Sequence, residues 1–525
     1  MLVAGAGPVG LVAALLLARF GVASTVLEAE PRHRGTGSRA ICFQRDVLDV
    51  LDRVGCAEEL VAEGVTWRRG LTFYREHELF ETSFPVDHQS AYPPFINISQ
   101  TSVERVLRRR AAEESLIDLR FAHRVTAVRQ EPGGVVAVCA GPEDREVELA
   151  GAYLLGCDGA FSAVRRALDI PFDGESFSEQ FLIADIRADL PFPAERRFHF
   201  DPEWNPGRQV LVHPQPESVW RIDWQVPADF DLERERASGE LDRRIRRITG
   251  DVPYEIVWLS CYRFHQRVAR RLRDGRVLLV GDAAHLMSPF GARGLNSGIQ
   301  DAENAAWKLA LVMGGKADER LLDSYDPERR AAALENLRIT GETMRFLVPQ
   351  DEADRRRRSE LLERAIHDPR ARAEVNSGKL AEPSGYLSSP LTTPVAVEGF
   401  PTAPGASRPP VPGVLCPDEP CRVEGAPAVR RLRHLFGDGF VALVNAEDTA
   451  AARAAAEHVP APLVAHRLED LGEPERVRAI AAALDAAEAT TVLVRPDGHI
   501  AAVVDADDAA ALIAAVRRAC GGADP

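Results

Sequence analysis

Short all-apolar runs along this chain alternate with stretches whose apolar residues recur every three to four positions. Leu2-Val3-Ala4 is an apolar strand that runs at once into Gly5-Ala6-Gly7-Pro8-Val9-Gly10; a helical pattern follows to about Phe20, and residues 24–27 read as a second buried strand. The chain therefore opens with a βαβ unit. Helical periodicity returns near residues 44–53 and 101–112, while residues 125–129, 135–139 and 153–155 read as strands. Between about Gly70 and Pro94, and again between about Phe181 and Phe264, strand-like runs rich in Phe, Trp and Val alternate with polar residues, which predicts a separate β-rich layer.

Residues 276–280 form a further buried strand, and a long helix starts near Asn296 and continues to Met313. Helix-forming composition persists to about Val375. Within it the basic run Arg355-Arg356-Arg357-Arg358 reads as a solvated helix face, since four adjacent residues cannot all point one way. Residues 383–412 carry eight prolines and mark a linker or extended arm. Beyond it, strands at 440–444, 491–494 and 500–504 among Ala-rich helices suggest a small α/β domain.

A chain of 525 residues exceeds what one core usually supports, so two or three domains are expected. The net charge of -15 would repel a phosphate backbone and argues against nucleic-acid binding. Eight scattered cysteines, with no CxxC and no His cluster at zinc spacing, read as reduced cytosolic thiols and leave no metal site. The apolar stretch 9–18 has no basic segment before it and is cut short by Arg19, so it is not a signal peptide. With no run approaching the roughly 20 residues that span a bilayer, a cytoplasmic protein without membrane contact is expected.

Gly5-x-Gly7-x-x-Gly10 lies between a strand and a helix, and Glu28 ends the next strand. Such glycines allow a tight turn and bring backbone N–H groups close to a pyrophosphate, while the carboxylate accepts ribose hydroxyls. The blander reading is a glycine turn of purely structural use. The fingerprint alone leaves NAD and FAD open, because both carry the same ADP half.

Two further stretches bear on that choice. One is Gly156-Cys157-Asp158-Gly159-Ala160-Phe161-Ser162-Ala163-Val164-Arg165. The other runs from Gly281-Asp282-Ala283-Ala284-His285 through Ser288-Pro289-Phe290-Gly291-Ala292-Arg293-Gly294-Leu295-Asn296 to Asp301-Ala302. At these residues, over about 1–345, the sequence resembles the FAD-dependent aromatic-ring hydroxylases, the family of para-hydroxybenzoate hydroxylase, phenol hydroxylase and 3-(3-hydroxyphenyl)propionate hydroxylase.

The resemblance implies FAD binding through Gly5, Gly7, Pro8, Val9, Gly10, Glu28, Ala29, Arg39, Gln100, Asp158, Gly159, Gly281, Asp282, Pro289, Gly294, Leu295 and Asn296. Asp282 matches the carboxylate that holds the ribityl chain, and Pro289 the proline beside the flavin's reactive carbon; both are the catalytic candidates. A helix beginning near Asn296 would aim its positive end at the flavin. His285 is open between a packing residue and an acid or base, Asp158 between cofactor ligand and helix cap, and Arg165 between a flavin-side charge and a surface residue.

The implied fold is α/β: a Rossmann-like FAD-binding domain (1–70, 95–180 and 268–380) with an inserted β-sheet substrate domain (71–94 and 181–267). A Pro-rich linker (381–412) and a domain at 413–525 follow. That last part, with Leu493-Val494-Arg495-Pro496-Asp497-Gly498-His499-Ile500, is similar to the thioredoxin-like C-terminal domain of phenol and polyketide hydroxylases. It also has a plain hairpin reading at Pro496-Asp497-Gly498. Its cysteines, Cys416, Cys421 and Cys520, are not spaced for thioredoxin chemistry, so a structural or dimer-supporting role is expected.

The implied activity is that of a single-component monooxygenase. NAD(P)H reduces FAD, O2 adds to give a flavin C4a-hydroperoxide, and one oxygen atom passes to a small phenolic or polycyclic, polyketide-like substrate. Only one dinucleotide fingerprint is present, so NAD(P)H binds as a transient co-substrate. A related oxygenation (epoxidation, Baeyer–Villiger insertion or inactivation of an aromatic antibiotic) and a non-catalytic flavin-binding protein are the alternatives. Phe73, Trp204, Trp220, Trp224 and Phe264 are pocket-lining candidates, or ordinary sheet core. A monomer or homodimer is expected. Met1 directly starts the first strand where family members carry several residues before it. Either the strand is trimmed or the start is misassigned, and in the second case FAD affinity suffers.

Overall fold

The computed structural model describes residues 1–32, 40–84, 91–395, 400–401 and 408–522. Its first layer is a six-stranded sheet in the order Arg273–Asp274, Val277–Leu279, Leu154–Gly156, Leu2–Ala4, Ser24–Leu27, Ile117–Arg120. All of its pairings are parallel except the first, a tight hairpin. Strands buried on both faces read as continuous apolar runs, as Leu2-Val3-Ala4 and Val277-Leu278-Leu279 do. The helix Pro8–Arg19 starts at a proline preset for the first turn and is buried nearly all round, against the sheet and the helix Arg293–Met313. That second helix begins three residues before the position read from sequence.

The second layer is an eight-stranded sheet ordered His285–Leu286, Glu255–Ala269, Phe172–Arg187, Val219–Val226, Gln209–Pro214, Arg196–Phe200, Arg69–Tyr74, His77–Ser83. It is antiparallel except where Arg196–Phe200 meets Arg69–Tyr74. The expected boundaries at 180/181 and 267/268 fall inside its two longest strands, Phe172–Arg187 and Glu255–Ala269. A strand shared by two layers keeps its alternation across the join, so the pattern carries no break there.

Alternation sorts the two faces of this sheet. Leu182, Ala184, Ile186, Trp220, Ile222 and Trp224 form a core with Leu241 and Ile245 of the helix Glu240–Thr249. Phe181, Ile183, Asp185, Arg221 and Asp223 take the opposite face.

The C-terminal sheet has the order Leu463–Arg467, Phe440–Asn445, Thr490–Val494, Ile500–Asp505. Its first pair is parallel and the rest antiparallel, with helices Ala450–Glu457, Pro474–Ala483 and Ala509–Ala519 following the strands Phe440–Asn445, Leu463–Arg467 and Ile500–Asp505. This is the expected thioredoxin-like arrangement. Its cysteines are free and buried, and burial pushes the Cys416 and Cys421 thiols up to about 12, which leaves them inert.

The described part of the Pro-rich arm is packed rather than loose. Tyr386 and Leu391 are buried, and Thr393 donates its N–H to Ala501 O at 2.9 Å. The basic run sits on the helix Glu352–Ala365. Three of its arginines are exposed as expected, but Arg358 turns inward to Asp201 at 2.8 Å and over the Phe200 ring.

Candidate active site

The first loop of the site is built by glycines with different jobs. Gly5 has φ +101°, and a Cβ there would lie 2.4 Å from Cys157 O; a Cβ on Gly10 would lie 2.0 Å from Gly5 O. Both are required for strand, turn and helix to close on one another. A Cβ on Gly7 meets nothing within 4 Å, so its bare face is a matter of what approaches from outside. The helix behind it has no side-chain cap, which leaves its N-terminal N–H groups for a ligand. Glu28 accepts from Ala6 N and Glu30 N, both at 2.9 Å, and so is fixed against this turn.

Asp158 Oδ2 accepts from Ala163 N (2.7 Å) and Val164 N (3.0 Å), which is the helix-cap arrangement, while its Oδ1 is buried with no hydrogen-bond partner. One carboxylate thus caps the helix and keeps an acceptor in reserve. Arg165 is neither at the surface nor simply a free charge. It donates to Ala283 O (2.8 Å) and Ala160 O (3.0 Å) and lies 3.8 Å over the Phe172 ring, tying the two loops together.

The third loop is held from behind by a buried ionic chain. Asp301 accepts from Gly281 N (3.0 Å), His285 Nε2 (2.7 Å) and Arg329 Nε (2.6 Å), and Arg329 also donates to the Tyr386 hydroxyl at 2.8 Å. His285 is fully buried, which makes it a packing and positioning residue. Burial raises the Asp301 pKa, but His285 and Arg329 overcome that and hold it at about 2.

The carboxylate therefore contributes about 2 kcal/mol that is full above 3.8 and is lost as pH falls towards 2. Asp301→Asn is expected to destabilise the protein by about 3 kcal/mol at pH 7, because the buried Arg329 guanidinium loses its counter-charge and the His285 ring its carboxylate acceptor. Denaturant unfolding measures this, and a loss under 1 kcal/mol would contradict the assignment.

His285–Leu286 joins the edge of the eight-stranded sheet, so the segment through Pro289 bridges both layers. Ala292 then takes a left-handed conformation (φ +56°) and the helix starts uncapped at Arg293. Asn296 spends its side chain on structure: Nδ2 donates to Cys42 O at 2.9 Å and Oδ1 accepts from Gln44 N at 3.1 Å. A Cβ on Gly294 would meet nothing, so this helix end is also bare.

These loops open onto one cavity of about 1430 Å³. Of the residues expected at the cofactor, Gly7, Pro8, Val9, Gln100, Gly159, Asp282, Pro289, Gly294 and Leu295 line it. Gly5, Glu28, Ala29, Asp158 and Gly281 lie in the turns and strand ends that shape it, Gly10 and Asn296 in the first turns of the two helices, and Arg39 falls outside the described residues. Asp282 and Pro289 are exposed. The bare faces of Gly7, Gly159 and Gly294, two uncapped helix ends and the spare oxygen of Asp158 fit a dinucleotide with a pyrophosphate and a polar ring edge.

The far end of the cavity has aromatic walls. Phe181 stacks on Phe264 at 4.4 Å between ring centroids and meets Phe290 edge-on at 5.7 Å, with Trp67, Phe80, Phe84 and Tyr262 nearby on the lining. Of the five aromatic candidates only Phe264 lines it. Trp220 and Trp224 point into the opposite core, and Phe73 stacks on His199. The polar residues between those tryptophans, Arg221 and Asp223, face the cavity with His213 and Arg196. The sequence signal for them was the alternation itself, read on its polar phase.

The family model described as an FAD binding domain matches residues 1–340, and that described as the C-terminal part of aromatic-ring hydroxylases matches residues 409–523. The chain belongs to the FAD-dependent aromatic-ring hydroxylase family. It is 32% identical to the 12-dehydrotetracycline 5-monooxygenase/anhydrotetracycline 6-monooxygenase of Streptomyces rimosus over 95% of this chain and 94% of that one. It is 31% identical to para-nitrophenol 4-monooxygenase of a Pseudomonas species over 64% of this chain and 83% of that one. A solved structure of aklavinone-11 hydroxylase with FAD and aklavinone superposes with a TM-score of 0.80 at 26% identity, covering 99% and 98% of the two chains.

Proposed function

We propose that this protein hydroxylates a polycyclic phenol of polyketide type with NAD(P)H and O2. The observation that carries the reading is the single cavity running from three bare glycine faces to an aromatic-walled end. Its volume exceeds the roughly 300–1,000 Å³ of an ordinary small-ligand site, which leaves room for a dinucleotide and a large flat substrate together. Full-length similarity to a tetracycline-type monooxygenase supports the same substrate class.

FAD, when bound, supplies electron transfer from NAD(P)H and activation of O2. The chain supplies the rest. Gly7, Val9 and Gly10 would hold the pyrophosphate, Glu28 the ribose, Asp282 the ribityl chain, and the N–H groups of Gly294 and Leu295 the polar ring edge. Pro289 would shape the loop beside the ring, and the Phe181, Phe264 and Phe290 wall excludes water from the reacting carbon. The eight free thiols favour a reducing, cytoplasmic setting. Among the described residues no helix is long and apolar enough to cross a membrane.

The test is NADPH and NADH oxidation by the flavin-loaded protein with anhydrotetracycline, aklavinone, 4-nitrophenol and 3-(3-hydroxyphenyl)propionate. Stimulated consumption and product one oxygen heavier, strongest for the polycyclic compounds, are expected. Preference for the single-ring phenols would overturn the substrate class, and ring-inserted oxygen would show Baeyer–Villiger chemistry instead.

A further inference from the structure

The aromatic end of the cavity has a polar pole that the family motifs do not account for. Three neighbouring strands of the eight-stranded sheet build it. Arg197 lies opposite Val212, which sets Arg196 beside His213; His213 lies opposite Arg221, and Leu211 opposite Asp223. All of Arg196, His213, Arg221 and Asp223 line the cavity.

The two arginines are not equivalent. Arg221 is locked to Asp185, Nε to Oδ1 at 2.8 Å and Nη2 to Oδ2 at 2.7 Å, and Gln215 donates to the same carboxylate at 3.0 Å. That charge is already matched. Arg196 donates to Ser377 O at 3.0 Å and has no carboxylate partner among the described residues, so its charge is open to the cavity. Asp223 has His213 Nε2 at 3.8 Å, too far for a hydrogen bond, and no hydrogen-bond partner among the described residues, although the Arg221 charge acts on it. Among the described residues, a carboxylate without a hydrogen-bond partner and a guanidinium without a carboxylate partner thus stand on one wall.

The pole is placed for the reaction. Asp223 is opposite Ile183 in register, and Ile183 is two residues along the strand from Phe181, whose ring touches Phe290 next to Pro289. Two strand residues span about 7 Å, so a fused-ring substrate reaching the Pro289 loop also reaches Asp223.

Resting on the hydroxylase reading above, we propose that Asp223 takes the proton of a phenolic hydroxyl of the substrate and that Arg196 holds the resulting oxyanion. The O–H bond breaks heterolytically, the proton moves to an Asp223 carboxylate oxygen, and the electron pair stays on the substrate oxygen. The ring becomes more electron-rich and a better acceptor of electrophilic oxygen. His213 is a positioning residue between the two.

The surroundings set Asp223 for this role. Burial raises its pKa to about 7, with Arg221 pulling it down and Asp185 pushing it up. A general base works best with a pKa near the operating pH. His213 is held neutral by burial and by the Arg196 and Arg221 charges. Tyr262, across on the strand Glu255–Ala269 beside Arg221, and Cys42, whose thiol interacts with Arg196, are further titratable groups on the lining, with Arg263 and His265 also on it.

The experiment compares wild type, Asp223→Asn, Asp223→Glu and Arg196→Met as flavin-loaded enzymes. Product formation and NADPH-driven flavin reduction are both followed from pH 5.5 to 9, with anhydrotetracycline as the substrate probe. Wild-type product formation is expected to rise with pH through about 7, since the protonated carboxyl cannot accept a proton. Asp223→Asn is expected to lose that limb and fall on the order of 100-fold in kcat while its flavin is still reduced; Asp223→Glu should restore the limb. Arg196→Met should raise KM about 10-fold.

An Asp223→Asn enzyme with the wild-type rate and profile overturns the proposal alone. A wild-type enzyme that holds FAD and oxidises NADPH yet oxygenates no phenol of the panel overturns the hydroxylase reading, and this proposal with it.

Discussion

Gly7→Val is expected to give a folded protein that holds no flavin at ordinary concentrations. Gly7 has ordinary extended backbone angles (φ -69°, ψ 176°), and its missing Cβ faces empty space, so the apo fold tolerates a side chain there. Only a ligand pressed against the turn would feel it. A valine in that space costs an overpacked site about 1–3 kcal/mol, and at the upper end FAD affinity falls about 100-fold. Unfolding midpoint and flavin titration separate the two effects. Gly10→Val is the contrast: its Cβ would overlap the Gly5 carbonyl, so stability and flavin should be lost together. Equal FAD binding by Gly7→Val and wild type would place the cofactor elsewhere.

The second large effect concerns the joint between the flavin domain and the thioredoxin-like domain. Glu328 is fully buried and accepts from Arg495 Nη1 (2.6 Å) and Nη2 (3.0 Å), Lys308 Nζ (2.7 Å), Asn304 (2.8 Å) and Ser389 (2.6 Å). Arg495 also meets Asp497 at 2.5 Å, and Trp307 Nε1 donates to Asp497 at 3.2 Å. Burial lowers the Lys308 pKa to about 8 even with Glu328 beside it.

Glu328→Gln therefore leaves the buried Lys308 without a counter-charge and Arg495 with Asp497 alone. A broken buried pair costs about 3–5 kcal/mol, a large part of the 5–15 kcal/mol that holds a typical protein together. The expected result is early release of the C-terminal domain on heating, seen as protease cleavage in the Pro-rich arm well below the wild-type melting temperature. Unchanged cleavage would show that the apolar contacts of Trp307, Leu311 and Phe440 hold the joint by themselves. The joint is continuous with the site, because Arg329, next to Glu328, reaches Asp301 behind the third loop.

The strands and helices that carry the glycine loops were legible because each loop is encoded in one short stretch. Gly5 to Gly10 states its turn, its helix start and its uncapped end within six residues. The eight-stranded sheet was legible as a layer, and of the two readings of Trp220 and Trp224 the sheet core holds, but Arg221 and Asp223 between them, which face the cavity, were not singled out. Arg495-Pro496-Asp497-Gly498 reads locally as a turn, and its arginine and aspartate complete a charge cluster with a glutamate 167 residues away. No local pattern reports such a pairing. Asp301 escaped for the same reason: it reads as one more polar position on a helix, and only the fold sets His285 and Arg329 on either side of it.

The most direct test of the account is turnover of the flavin-loaded protein with NADPH and anhydrotetracycline under isotopically heavy oxygen gas. One heavy oxygen atom per product molecule, with NADPH consumed in step, is the predicted result. Product without heavy oxygen, or NADPH consumption that yields only hydrogen peroxide with every phenol tried, would contradict it.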